Sequence, residues 1–160
     1  MNAIEGLEIE IIKRPLIFKN PAKTSRDTLL EKPCYLLKVT TADGITEWGE
    51  CSLIPGLSYE SEQDALAELN RIAISSTLNL NDIPNELPSV RFAVEMLIHK
   101  LSGEIPETPF TKGEAGLDIN GLVWMADAEG MLNQVADLKS KGYKTIKLKI
   151  GALNFEEELE

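Results

Sequence analysis

Residues 7–13 read LEIEIIK, with Leu7, Ile9 and Ile11 alternating with Glu8 and Glu10. That period of two predicts a strand with one face buried and one in water. Residues 14–32 carry Pro15, Asn20, Pro21 and several charges and are expected to form a loop. Cys34 to Thr41 reads as a second strand. Asp43-Gly44 marks a tight turn, and Ile45 to Gly49 is the returning strand. Cys51 to Tyr59 is broken by Pro55 and Gly56 and is expected to be a loop. Ser58 and Ser61 can each cap the helix that follows, whose apolar face is Ala65, Leu66, Leu69, Ile72 and Ala73. After a connector at 79–88, Ser89 opens a second helix with Val90, Ala93, Val94, Leu97, Ile98 and Leu101 on one side. Gly103 stops it.

The grammar changes after Gly113. Leu117 to Met125 reads as a buried strand, and Asp127 to Lys141 carries Met131, Leu132, Val135 and Leu138 at helical spacing, ended by Gly142. Lys144 to Ile150 is a strand, and Asn154 is placed to cap a further helix. Strand, helix, strand is the pattern of a parallel sheet. The expected division is therefore an α+β domain over 1–113 and a β/α domain over 114–160.

The strand at 145–150, TIKLKI, carries the sharpest chemistry. Alternation puts Ile146, Leu148 and Ile150 on one face and Thr145, Lys147 and Lys149 on the other. If the sheet curls into a barrel, the apolar face meets the helices and the lysines point inward. Ammonium groups in such a lumen repel each other and lose water, and both effects make proton loss easier. A lysine so placed can act as a general base, and Lys149 is nearer the C-terminal end of its strand, where barrel active sites form. The alternative is an edge strand with a solvated lysine face.

Charge and composition narrow the classes. The net charge of −10 argues against nucleic acid, whose binders need a basic face, but leaves room for a small anionic substrate. No apolar run approaches the ~18 residues of a membrane span, and the N-terminus lacks a basic start and long apolar run, so no signal peptide is expected. Cys34 and Cys51 form no C-x-x-C pair and read as reduced thiols, which together point to a cytoplasmic protein. His99 shares a helix stripe with Arg91 and Glu95 at spacings of four, read as a polar stripe. Trp48 and Trp124 are assigned to core packing. There is no G-x-S-x-G setting and no P-loop.

Several segments together carry a resemblance: PAKTSR (21–26), EWGECSLIPGLSYE (47–60), RFAVEM (91–96), DINGLVWM (118–125) and KGYKTIKLKIGALNFEEEL (141–159). In this order, with K-x-K on the second strand of a β/α run, they resemble the muconate-lactonizing subgroup of the enolase superfamily. INGLVWM and IKLKIGA resemble the N-terminal portion of o-succinylbenzoate synthases within it. The resemblance implies an α+β N-terminal capping domain followed by the first β/α units of an enolase-type (β/α)7β barrel, incomplete in this chain. It implies a carbon–oxygen lyase of menaquinone biosynthesis, acting on a small carboxylate through an enediolate.

In that chemistry Lys149 removes the proton α to the carboxylate and then serves as general acid, while Lys147 supports it. The loops 18–28 and 51–59 close over the substrate, with Leu53, Ile54, Pro55 and Leu57 as a water-excluding lid and Ser25 and Arg26 meeting a substrate carboxylate. Mg²⁺ stabilises the enediolate, but its carboxylate ligands are expected downstream of Glu160, so the chain supplies no metal ligand and is expected to be inactive alone. Other expectations on the same scaffold are dipeptide epimerisation or muconate cycloisomerisation. A non-catalytic truncated module is the alternative of a different class.

Overall fold

The computed structural model describes residues 3–23 and 28–149. The chain divides into two compact units, one of Met1–Ile17 and Glu31–Pro106, the other of Phe18–Leu30 and Glu107–Glu160.

In the first unit, β1 (Glu8–Lys13), β4 (Cys34–Thr40) and β5 (Thr46–Ser52) form an antiparallel sheet in the order β1-β4-β5. The register pairs Ile11 with Leu37 and Leu37 with Gly49. These residues share a face, and Tyr35, Leu37, Val39 and Cys51 lie on it fully or almost fully buried. Helices α1 (Glu62–Ser75) and α2 (Pro88–Ser102) cover that face with Leu69, Ile72, Val90, Val94 and Leu97. The close approach of α2 to β5 is possible because position 49 has no side chain: a Cβ there would stand 2.5 Å from the Ala93 carbonyl oxygen.

Helix boundaries follow local chemistry. Ser61 caps α1 by accepting the Asp64 N–H at 3.1 Å. Helix α2 starts at Pro88, one residue before the serine expected to open it, because proline needs no N–H at a first helical position. Gly103 ends it with φ 69°. The expected connector at 79–88 contains a 3-10 turn, Leu80–Asp82. Arg91 holds it, donating to the carbonyls of Leu80 at 2.9 Å and Ile83 at 2.6 Å.

The expected loop at 14–32 is corrected. Leu16–Lys23 (β2) and Thr28–Lys32 (β3) pair as a two-stranded sheet. The pairing leaves no clear apolar alternation to read: Leu16, Ile17 and Leu30 are all exposed. Pro21 looks like a breaker, yet an edge strand tolerates proline where no ladder N–H is needed.

The second unit holds β6 (Gly121–Val123), α3 (Ala128–Ser140) and β7 (Ile146–Leu148). β6 and β7 are parallel, as the strand–helix–strand pattern predicts. Both strands are shorter than expected. Leu117 and Ile119, read as strand interior, are largely exposed. Asp127 caps α3 through the Gly130 N–H at 2.8 Å, and Gly142 follows the helix with φ 83°. Leu132, expected on the buried stripe of α3, is 70% exposed. No residue of α3 is fully buried. The expected helix after Asn154 lies outside the described residues.

Candidate active site

The register of β6 and β7 decides which way the lysines face. Gly121 pairs with Ile146, Leu122 with Lys147 and Val123 with Leu148. Paired residues in a parallel ladder point to the same side. The Gly121 side is the one against α3, since a Cβ at Gly121 would meet the Leu138 side chain at 2.9 Å. Val123, on that side, is fully buried. Leu122, Lys147 and Lys149 therefore stand on the face turned away from the helix. Two backbone bonds bracket the pairing: Gly121 N–H to Thr145 carbonyl at 2.9 Å and Lys149 N–H to Val123 carbonyl at 3.3 Å.

On that face the two lysines differ. Lys147 is exposed and Lys149 half-buried. The Lys149 ammonium lies 3.6 Å from the centre of the Trp124 ring, a cation–π contact. Trp124 is thus not simple core packing, as its strand pattern suggested. Its backbone is gripped on both sides by one amide: the Trp124 N–H donates to Gln134 Oε1 at 2.8 Å, and Gln134 Nε2 donates to the Trp124 carbonyl at 3.0 Å. Gln134 projects from α3, so helix and strand end are tied by a side chain that imitates a neighbouring strand. Trp124 and Gln134 also line a cavity of about 460 Å³ with Phe18, Lys19, Pro21 and Ala22 of β2.

Ser25 and Arg26 lie outside the described residues. In the first unit, the 51–59 loop is tightly closed. Ser58 N–H donates to the Ile54 carbonyl at 2.8 Å, and Ile54 N–H returns a bond to Ser58 Oγ at 2.8 Å. Gly56 allows the turn with φ 74°. Leu53 is buried in the core cluster, whereas Ile54 and Leu57 are exposed. Glu60 follows, buried, and its Oε1 accepts the Ser89 N–H at 2.6 Å. It supplies the cap that Leu87 cannot give α2. Sequence reasoning missed Glu60 because the contact spans 29 residues. It missed the Trp124–Lys149 pair because alternation along one strand does not give the register between two.

The remaining polar candidates have structural places. Cys34 and Cys51 are free and buried. Burial, helped by the Glu60 charge, pushes the Cys51 thiol up to about 12, which keeps it protonated and inert. Trp48 is 42% exposed rather than core. Its carbonyl accepts from Lys100 at 2.8 Å. Among the described residues, no group of three or more His, Cys, Asp or Glu could hold a metal ion, and no helix is long and apolar enough to cross a membrane.

Residues 7–87 match the sequence model of the mandelate racemase / muconate lactonizing enzyme N-terminal domain. The chain belongs to the mandelate racemase / muconate lactonizing enzyme family, within the enolase superfamily. Its α+β meander and helices are that family's capping domain, and the β/α unit after it is the start of the barrel. The o-succinylbenzoate synthase of Desulfotalea psychrophila is 33% identical over 97% of this chain and 52% of the relative. Muconate cycloisomerase 1 of Rhodococcus opacus is 28% identical over 95% and 46%. The chain spans about half the length of the curated relatives it matches.

Among solved structures, the substrate-liganded L-Ala-D/L-Glu epimerase of Bacillus subtilis superposes with TM-score 0.76 at 19% identity, covering 98% of this chain and 48% of that one. The o-succinylbenzoate synthase of Thermosynechococcus elongatus BP-1, which carries Mg in its active site, gives TM-score 0.72 at 20% identity over 94% and 45%. At those identities the likeness is one of fold.

Proposed function

We propose that this chain is part of an o-succinylbenzoate synthase of menaquinone biosynthesis, a cytoplasmic lyase that dehydrates 2-succinyl-6-hydroxy-2,4-cyclohexadiene-1-carboxylate. The observation that carries the reading is the orientation of Lys147 and Lys149, side by side on the face of β7 turned away from α3. The identity to the Desulfotalea synthase along nearly the whole chain supports the choice of reaction.

In this reading the Lys149 amine takes the proton α to the carboxylate. The C–H electron pair passes into the carboxylate as an enediolate. The pair then returns to form the ring double bond as hydroxide leaves from the same face, taking a proton from the Lys149 ammonium and departing as water. Lys147, on the same face of β7, supports the base. Ser25 and Arg26 hold a substrate carboxylate. Ile54 and Leu57, exposed on a hydrogen-bonded turn, meet the substrate, and Leu53 joins that turn to the core. Mg²⁺, which the Thermosynechococcus synthase holds, would stabilise the enediolate charge. Among the described residues there is no cluster of His, Cys, Asp or Glu fit to hold it. The domain boundary near 113/114 belongs to the same proposal.

The second reading is a sister reaction on the same scaffold, favoured by the muconate cycloisomerase identity and by the epimerase fold. The deciding experiment is an assay of the protein expressed from its complete reading frame, with Mg²⁺, against the cyclohexadiene carboxylate, muconate and a panel of dipeptides. Dehydration with kcat/KM far above the other two supports the synthase. Turnover of muconate or dipeptides alone moves the assignment to the sister reaction.

A further inference from the structure

We propose that Trp124 is the positioning residue for Lys149, and that Gln134 sets Trp124 for that task. A lysine has a flexible four-carbon stem and loses much rotamer freedom when it is fixed. At a strand end nothing in the backbone chooses one rotamer. Here the indole face supplies the choice, with the ammonium 3.6 Å from the ring centre. The ring in turn stands one residue beyond the last residue of β6, where the ladder no longer fixes it. Gln134 replaces the missing ladder with two hydrogen bonds to the Trp124 backbone, 2.8 and 3.0 Å. One amide on α3 therefore sets an indole, and the indole sets the amine. The same device explains why a glutamine sits half-buried on α3, where an apolar residue would otherwise serve packing.

This inference rests on Lys149 being the base, but it can be tested apart from the reaction. Protons above an aromatic face are shielded by the ring current. In the protein from the complete reading frame, labelled with ¹³C-lysine, the Lys149 ε-methylene should resonate upfield of the other lysines. Lys149→Arg assigns the signal by removing it. Trp124→Leu should return it to the main envelope.

With the cyclohexadiene carboxylate as substrate, Trp124→Leu and Gln134→Leu should each lower kcat about tenfold. KM should stay within about twofold, since only the reacting group is displaced. Trp124→Phe, which keeps a ring and the packing volume, should recover part of the loss and guards against a folding defect in the leucine variant. An unshifted Lys149 methylene in the wild type, or full kcat in Trp124→Leu, overturns the proposal. If the wild type does not turn over this substrate, the proposed reaction fails instead, and the methylene shift still decides the contact.

Discussion

Glu60 is the one buried charged side chain among the described residues, and its place at the start of α2 accounts for it. The first N–H groups of a helix have no partner within it, and a carboxylate there gains both a charge-assisted bond and the favourable helix dipole. Glu60→Ala removes the acceptor from Ser89 and should lower unfolding stability by about 2 kcal/mol, read from urea melts. A loss below a few tenths would mean that water replaces the carboxylate freely. Tyr35 makes a comparable bond, its hydroxyl donating to Glu62 Oε1 at 2.6 Å. That bond, with the Lys13 ammonium at 2.9 Å, holds the Glu62 carboxyl below its ordinary 4.5. A carboxyl depressed on folding stabilises the native state above its unfolded value and loses that contribution as pH falls through the lower, folded value. Tyr35→Phe should therefore cost about 1 kcal/mol at neutral pH, discounted for the half-exposed Glu62, and flatten the decline in stability on the acid side of pH 4.5. Parallel acid titrations of the two proteins that decline equally would remove Glu62 from the account.

At the scale of elements, legibility followed burial. β1, β4 and the two long helices were readable because each has one wet and one dry face. Val90, Val94 and Leu97 recur at helical spacing, and all are fully buried. β2 and β3 were not readable, since a two-stranded ribbon with exposed Ile17 and Leu30 leaves no period to detect. β6 and β7 were placed correctly but drawn too long, because apolar residues such as Leu117 continue the pattern beyond the ladder. The packing of β5 against α2 was invisible from local sequence, although it depends on one residue. Gly49→Ala would press a methyl group to 2.5 Å from the Ala93 carbonyl and 2.9 Å from Leu97. The backbone oxygen cannot turn aside as a side chain can, so the helix must move. We expect a loss of about 2–3 kcal/mol, visible as a lower denaturation midpoint with an unchanged slope. An alanine variant as stable as wild type would show that β5 and α2 have slack between them.

For the whole molecule, the candidate site was legible as far as alternation could take it. Lys147 and Lys149 fall on one face of a strand by counting, and the register confirms that this face is turned away from α3. What counting could not supply was the partner that fixes Lys149, because Trp124 meets it across a ladder rather than along the chain. Ser25 and Arg26 remain expectations that lie outside the described residues. In the proposed reaction Lys149 transfers the proton. The measurement that tests it most directly is the turnover of Lys149→Ala in the protein from the complete reading frame, with folding verified by circular dichroism and substrate binding verified by calorimetry. General acid–base groups contribute roughly 10²–10⁴-fold, and a group used as base and then as acid should be at the upper end. Loss of the amine should reduce kcat by at least about a thousandfold with substrate affinity preserved. A variant that binds substrate and retains kcat within about tenfold of wild type would contradict it.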